Sequence, residues 1–142
     1  MRTVTAILQD SKTIAVVGLS AKPDRPSHAV AHYLQAQGYR IIPVNPSCAG
    51  QRILGEPVYA SLQDAAAALA RDHLSIDIVD CFRKGEEMLP VARDAVAIQA
   101  RVLWMQIGVI NQEAADLAAA AGLDVVMDHC LKIEHAAMQA DA

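Results

Sequence analysis

The sequence predicts an α/β fold: a doubly wound, mainly parallel sheet of five to six strands in a single domain. Three observations carry this. Short apolar runs alternate with helix-period segments along the whole chain. Most of the runs are apolar at successive positions, as expected of parallel strands buried on both faces. The first run, Ile14–Val17, stops at Gly18 and passes through a polar loop into a helix-like pattern near Ser27. That is the strand–turn–helix order of a right-handed crossover unit.

The elements follow in order. Val4 to Leu8 suits a short helix ahead of the first strand. The strand runs are Ile14–Val17, Ile41–Val44, Ile76–Val79, Val102–Met105 and Val125–Met127, with a shorter one at Val58–Tyr59. Between them, Val30, Tyr33, Leu34 and Gln37 carry i, i+3, i+4 spacing. So do Met88, Ala92, Ala95 and Val96, and then Ala114, Leu117, Ala118 and Ala121. Gly38 and Gly122 stand where helix C-caps belong, each just before a strand. Ser61, with Asp64 three residues on, is a candidate N-cap for the alanine-rich 65–68 stretch, and Asn111 for the helix after Val102–Met105.

Bulk properties narrow the function. The chain of 142 residues is 54% hydrophobic and 20% charged, enough to build a packed core. A net charge of −4 disfavours duplex nucleic acid as a partner. The N-terminus lacks the apolar core of a signal peptide, and no apolar run approaches the ~18 residues of a membrane span. A cytoplasmic protein without membrane contact is expected. Cys48, Cys81 and Cys130 are odd in number and scattered, which argues against a disulfide framework.

In an open parallel sheet the ligand sits beyond the carboxyl ends of the strands. That rule selects five segments. In the first, 18–28, Gly18 permits a tight turn, Ser20 offers a hydroxyl, and Lys22 and Arg25 bring charge beside a helix N-terminus. A phosphate cradle results; the alternative is an ordinary loop with Ser27 as N-cap and two solvated cations. In the second, 45–55, a dinucleotide-binding domain would place a carboxylate at the strand end for the ribose. Asn45 and Pro46 stand there instead, an amide and a flat apolar wall suited to adenine, or simply a turn. The third, 81–86, follows Asp80, a residue that would ordinarily cap this turn. It presents Phe82, the only phenylalanine, followed by Arg83 and Lys84. An aromatic face with cations fits a purine nucleotide carrying extra phosphate; a packing plug is the alternative. In the fourth, 106–111, Gln106 and Gly108 offer an amide and bare backbone, while Trp104 before them belongs to the core.

The fifth segment, "DHCLKIEH" at 128–135, gathers His129, Cys130, Glu134 and His135. Their spacing matches no common zinc pattern, so no metal is expected. His28 and Cys130 suggest a Cys/His nucleophile only weakly, and the sequence shows no complete catalytic constellation.

Together, "VVGLSAKPDRPSH", "GYRIIPVNP", "LGEPVYASL", "DIVDCFRKGEE", "LWMQIGV" and "DHCLKIEH", in this order, resemble the small stand-alone CoA-binding domain proteins. Their fold also forms the N-terminal domain of the succinyl-CoA synthetase alpha subunit. The resemblance covers about residues 12–135 and implies a Rossmann-like domain holding coenzyme A over the strand ends. It implies Gly18, Ser20 and Lys22 at the pyrophosphate and Asn45 and Pro46 on the adenosine side. Phe82 with Arg83 then matches the third-strand contacts, and Gln106 with Gly108 the fourth. Loop one departs from the synthetase pattern, which has more glycine and no proline. The resulting expectation is a non-catalytic module for CoA or an acyl-CoA. The alternatives are a CoA-dependent enzyme subunit acting with a partner protein and, disfavoured by Asn45, an NAD(P)-binding redox protein. The residues name no protein partner.

Overall fold

The computed structural model describes residues 1–141. The chain begins with helix α1 (Val4–Asp10), capped by the Thr3 side chain, which accepts from the Ala6 N–H. Strand β1 (Thr13–Val17), helix α2 (Pro26–Ala36) and strand β2 (Arg40–Val44) form the first crossover unit. A small antiparallel hairpin follows, β3 (Arg52–Ile53) with β4 (Glu56–Pro57), and then α3 (Leu62–Ala70). The second half runs β5 (Ile78–Cys81), α4 (Met88–Ala97), β6 (Val102–Met105), α5 (Gln112–Ala120), β7 (Asp124–Met127) and α6 (Leu131–Ala140).

Five strands build one parallel sheet in the order β2-β1-β5-β6-β7. The chain winds outward from β1 to β2, then returns to the other side of β1 with β5. The β1–β5 boundary is therefore the point where the winding reverses, and a crevice opens there beyond the strand ends. Strands β1 and β6 are buried at every residue, as the uninterrupted apolar runs anticipate. One core layer lies between the sheet and α3, α4 and α5, centred on Ala15, Val79, Leu103 and Met105. The other lies under α1, α2 and α6 and holds Ile14, Val16, Ile78 and Trp104.

The Ser61 and Asn111 caps form as expected, accepting from the N–H groups of Asp64 and Ala114 at 3.1 and 2.9 Å. Three differences have physical causes. The run Ile76–Val79 becomes a strand two residues later, at Ile78–Cys81. Before it, side chains replace the ladder: Asp77 Oδ2 accepts from the Lys12 and Thr13 N–H groups, and Thr13 Oγ1 donates to the Ser75 carbonyl. Val58–Tyr59 is a single parallel bridge from Tyr59 to Val44 rather than a full sixth strand, because the β3–β4 hairpin occupies the preceding residues. Ser27 is not the N-cap of α2. Pro26 opens the helix, the cap position is Arg25, and Ser27 Oγ instead accepts the Ser20 N–H at 3.0 Å.

Strand β2 contains Pro43, which cannot donate to a ladder. It is tolerated because β2 lies at the sheet's edge and the Pro43 carbonyl faces outward, accepting the Tyr59 N–H at 3.0 Å.

Candidate functional site

The exits of β1 and β5 press against each other. Gly18 has φ +88°, and a Cβ placed there would lie 2.5 Å from the Phe82 carbonyl oxygen. Only glycine suits both the backbone conformation and the space. The Gly18 N–H donates to the Val44 carbonyl at 2.9 Å, tying this turn to β2 as well. Beyond it the loop folds on its own serines. The Ser20 N–H donates to Ser27 Oγ, and the Lys22 N–H donates to Ser20 Oγ at 3.1 Å, which leaves the Ser20 hydroxyl proton free to donate.

The result is an open cleft of about 390 Å³ lined by Gly18, Ser20, Lys22, Arg25, Ser27 and Phe82. Lys22 and Arg25 are exposed, and neither forms an ion pair among the described residues. The cleft is cationic and sits at the N-terminus of α2, a favourable place for an anion.

A second cleft of about 470 Å³ adjoins the first and shares Pro26 and Phe82 with it. Its wall comprises Val30, Ile107, Val109 and Cys130, with Arg83, Lys84 and Gln106. Both volumes fall in the range of small-molecule sites. Phe82 is half-buried, packs on the core layer under α2 and divides the two clefts. It is thus both packing plug and cleft wall. Loops three and four are joined by a bond from Asn111 Nδ2 to the Gly85 carbonyl at 2.9 Å. A Cβ at Gly85 would collide with the Ile110 carbonyl, so the loops meet as closely as the two strand exits do.

Seven of the ten sequence-derived site residues line these clefts: Gly18, Ser20, Lys22, Arg25, Phe82, Arg83 and Gln106. Asn45, Pro46 and Gly108 do not. Asn45 is engaged in structure: its Nδ2 donates to the Leu19 carbonyl, and its Oδ1 accepts the Ser47 N–H, both at 3.0 Å. It fastens loop two to loop one. Gly108, at φ +83°, donates its N–H to Asp128 Oδ1 at 2.7 Å and so fixes loop four to the tail. Gln106 lines the second cleft but is 4% exposed; its Oε1 accepts the Leu131 N–H at the start of α6. Val30, Ile107, Val109 and Cys130 are cleft residues that the sequence pattern did not single out as ligand contacts. Val30 could be found only as a core position, and Ile107 and Val109 only as apolar residues beyond a strand end.

The tail residues disperse. His129 pairs with Glu134 at 3.2 Å, Cys130 faces the second cleft, and the buried His135 bonds the Tyr33 hydroxyl at 2.9 Å. Among the described residues no three His, Cys, Asp or Glu side chains cluster closely enough to hold a metal. His28 faces a separate groove beside Tyr33, not the cleft that contains Cys130.

Asp80 departs from expectation. It does not cap the turn but lies inside β5, fully buried, between Val16 and Trp104 in register. By strand alternation it faces the same layer as Ile78 and Phe82. Neither carboxyl oxygen has a hydrogen-bond partner. Burial pushes its pKa well up and outweighs the opposing influence of the neighbouring Cys81 N–H. Burial thus favours the neutral carboxyl at this position. Burial also drives the Cys81 thiol well up, so it stays a thiol.

A doubly wound parallel sheet with a cationic cleft at its winding reversal defines a nucleotide-binding class of α/β protein. Residues 12–136 match the CoA-binding domain family, and the chain belongs to that family. It is 42% identical over 133 residues to the uncharacterized protein YneT of Bacillus subtilis, covering 94% of this chain and 92% of that one. Among solved structures it is similar to the cell-free protein ID.343 from Thermus thermophilus. That match has 37% identity, covers 94% of each chain and has a TM-score of 0.84. A hypothetical protein from Pyrococcus horikoshii OT3 matches at 34% identity and a TM-score of 0.87, covering 96% of this chain and 89% of that one. No helix among the described residues is long and apolar enough to cross a membrane.

Proposed function

We propose that this chain binds coenzyme A or an acyl-CoA across the carboxyl ends of β1, β5 and β6, as a binding module without chemistry of its own. The observation that carries the reading is the pairing of two clefts in a CoA-binding-domain chain. One is cationic, the other largely apolar, and Phe82 separates them. CoA has the matching division: a phosphate-rich nucleotide end and an uncharged thiol-bearing arm. In this reading Gly18, Ser20, Lys22 and Arg25 receive the pyrophosphate, with Arg83 beside them. The Arg83 Cδ lies 3.6 Å from the position a Gly18 Cβ would take, so that side chain leans toward loop one. Asn45 holds loop one in place, exposed Pro46 offers the adenosine a wall, and Gly108 shapes loop four.

Calorimetric titration with CoA, acetyl-CoA, NAD and NADP tests the reading. The CoA compounds should bind, and NAD much more weakly, because the end of β2 has Asn45 where a ribose-binding carboxylate would stand. NAD binding as tightly as CoA would overturn it. Incubation with a nucleoside triphosphate, succinate and CoA should yield no thioester above background.

A further inference from the structure

The second cleft has more apolar wall than the pantetheine arm can cover. Arg83 and Lys84 line it and can serve the arm's polar groups, but the rest of the wall is carbon and sulfur from Pro26, Val30, Phe82, Ile107, Val109 and Cys130. Its one amide side chain, Gln106, is already engaged, with Oε1 on the Leu131 N–H at 3.0 Å and Nε2 3.8 Å from Cys130 Sγ. A polar group set against that carbon wall would go unpaired, and unpaired buried polar groups are costly. Hydrocarbon meets no such penalty. At the rim, Ile107 is 62% exposed, an apolar side chain left in water at the mouth of an apolar cleft.

We propose that the second cleft is an acyl-chain subsite, so that the ligand class of this protein is an acyl-CoA with a short unbranched hydrocarbon chain rather than free CoA. The inference rests on the CoA reading given above. The occupant is set by continuity: the cleft shares Pro26 and Phe82 with the cationic one, so an arm leaving phosphates at Lys22 and Arg25 leads into it. Ile107 and Val109 then close over the chain, and Cys130 forms part of the wall.

The test is calorimetry with CoA, acetyl-CoA, butyryl-CoA and hexanoyl-CoA. Each methylene fully removed from water changes affinity by about fourfold (about 0.8 kcal/mol). Hexanoyl-CoA should bind at least about tenfold tighter than acetyl-CoA, because part of its chain remains wet. Butyryl-CoA should fall between the two. Ile107→Asn should collapse the ratio of hexanoyl-CoA to acetyl-CoA affinity, and hexanoyl-CoA should shield Cys130 from alkylation better than CoA does. Equal affinities across the series would overturn the acyl subsite while leaving the CoA reading intact. If neither CoA nor any thioester binds, both fall. If Ile107→Asn instead turns a dimer into a monomer, the apolar rim belongs to a second copy and the proposal is wrong.

Discussion

Replacing Asp80 by leucine should stabilise this protein, and by more at higher pH. The carboxyl is 0% exposed, and neither oxygen is hydrogen-bonded. Leaving such a group unpaired in a core costs about 1–3 kcal/mol. Leucine has the same branching and no polar atom, so Asp80→Leu should recover much of that cost. At roughly 4 °C per kcal/mol for a domain of this size, the midpoint of thermal unfolding should rise by about 4–12 °C near neutral pH. The pH dependence follows from linkage. The folded pKa of Asp80 lies above its unfolded value, about 3.9. Between those two values the folded state holds the extra proton, so stability falls as pH rises through the window. Below about pH 3.9 both states are protonated, and the wild type bears only the cost of burying a neutral acid. The gap between variant and wild type should therefore widen from pH 4 upward. Urea unfolding of both proteins across pH 4 to 8 measures it. A gap independent of pH, or a destabilised variant, would show that Asp80 is ionised and partnered and would refute the argument.

Lys22→Ala and Arg83→Ala should each weaken CoA binding by about ten- to a hundredfold, the worth of a hydrogen bond to a charged group, and flatten its salt dependence; wild-type affinity in both would move the phosphate site elsewhere. Dephospho-CoA should be less affected by whichever residue contacts the 3′-phosphate. Gly18→Ala should lower stability by about 1–3 kcal/mol and abolish CoA binding, because it forces the strand exits apart and occupies a φ of +88°; normal folding and affinity by denaturation and calorimetry would contradict the close approach. A thiol reagent should modify Cys48 and Cys130 in the native protein but reach Cys81 only on unfolding, since Cys81 alone of the three is buried.

The strand runs and caps were legible because each has a local cause. Ser61 and Asn111 precede their helices by the spacing that lets their side chains accept an N–H, and fully buried parallel strands leave nothing polar to interrupt the pattern. The cationic lining of the clefts was legible as well, since Lys22, Arg25 and Arg83 follow strand ends. What escaped depended on distant partners. Asp80 reads locally as a turn residue, yet the ladder continues through it because Val16 and Trp104 flank it on either side. Ser27 reads as a cap until Ser20, seven residues earlier, folds back onto it. The bonds from Asn45 to Leu19 and from Gly108 to Asp128 span 26 and 20 residues, and no local pattern announces them.

The lone proline of β2 bears on how this protein behaves when crowded. An exposed strand edge invites other chains to continue the sheet, which is how aggregates begin. On the β2 side, Tyr59 occupies the outward Pro43 carbonyl, and the proline offers an incoming strand no N–H. On the far side β7 is the terminal strand, but it is only four residues long and its first residue, Asp124, is held by the Arg2 backbone and guanidinium. The β2 edge is thus blunted by its backbone chemistry and the β7 edge by its shortness and by the side-chain anchor at its start. In a chain that is 54% hydrophobic with a net charge of only −4, such edge features take on part of the work of discouraging copies from pairing edge to edge.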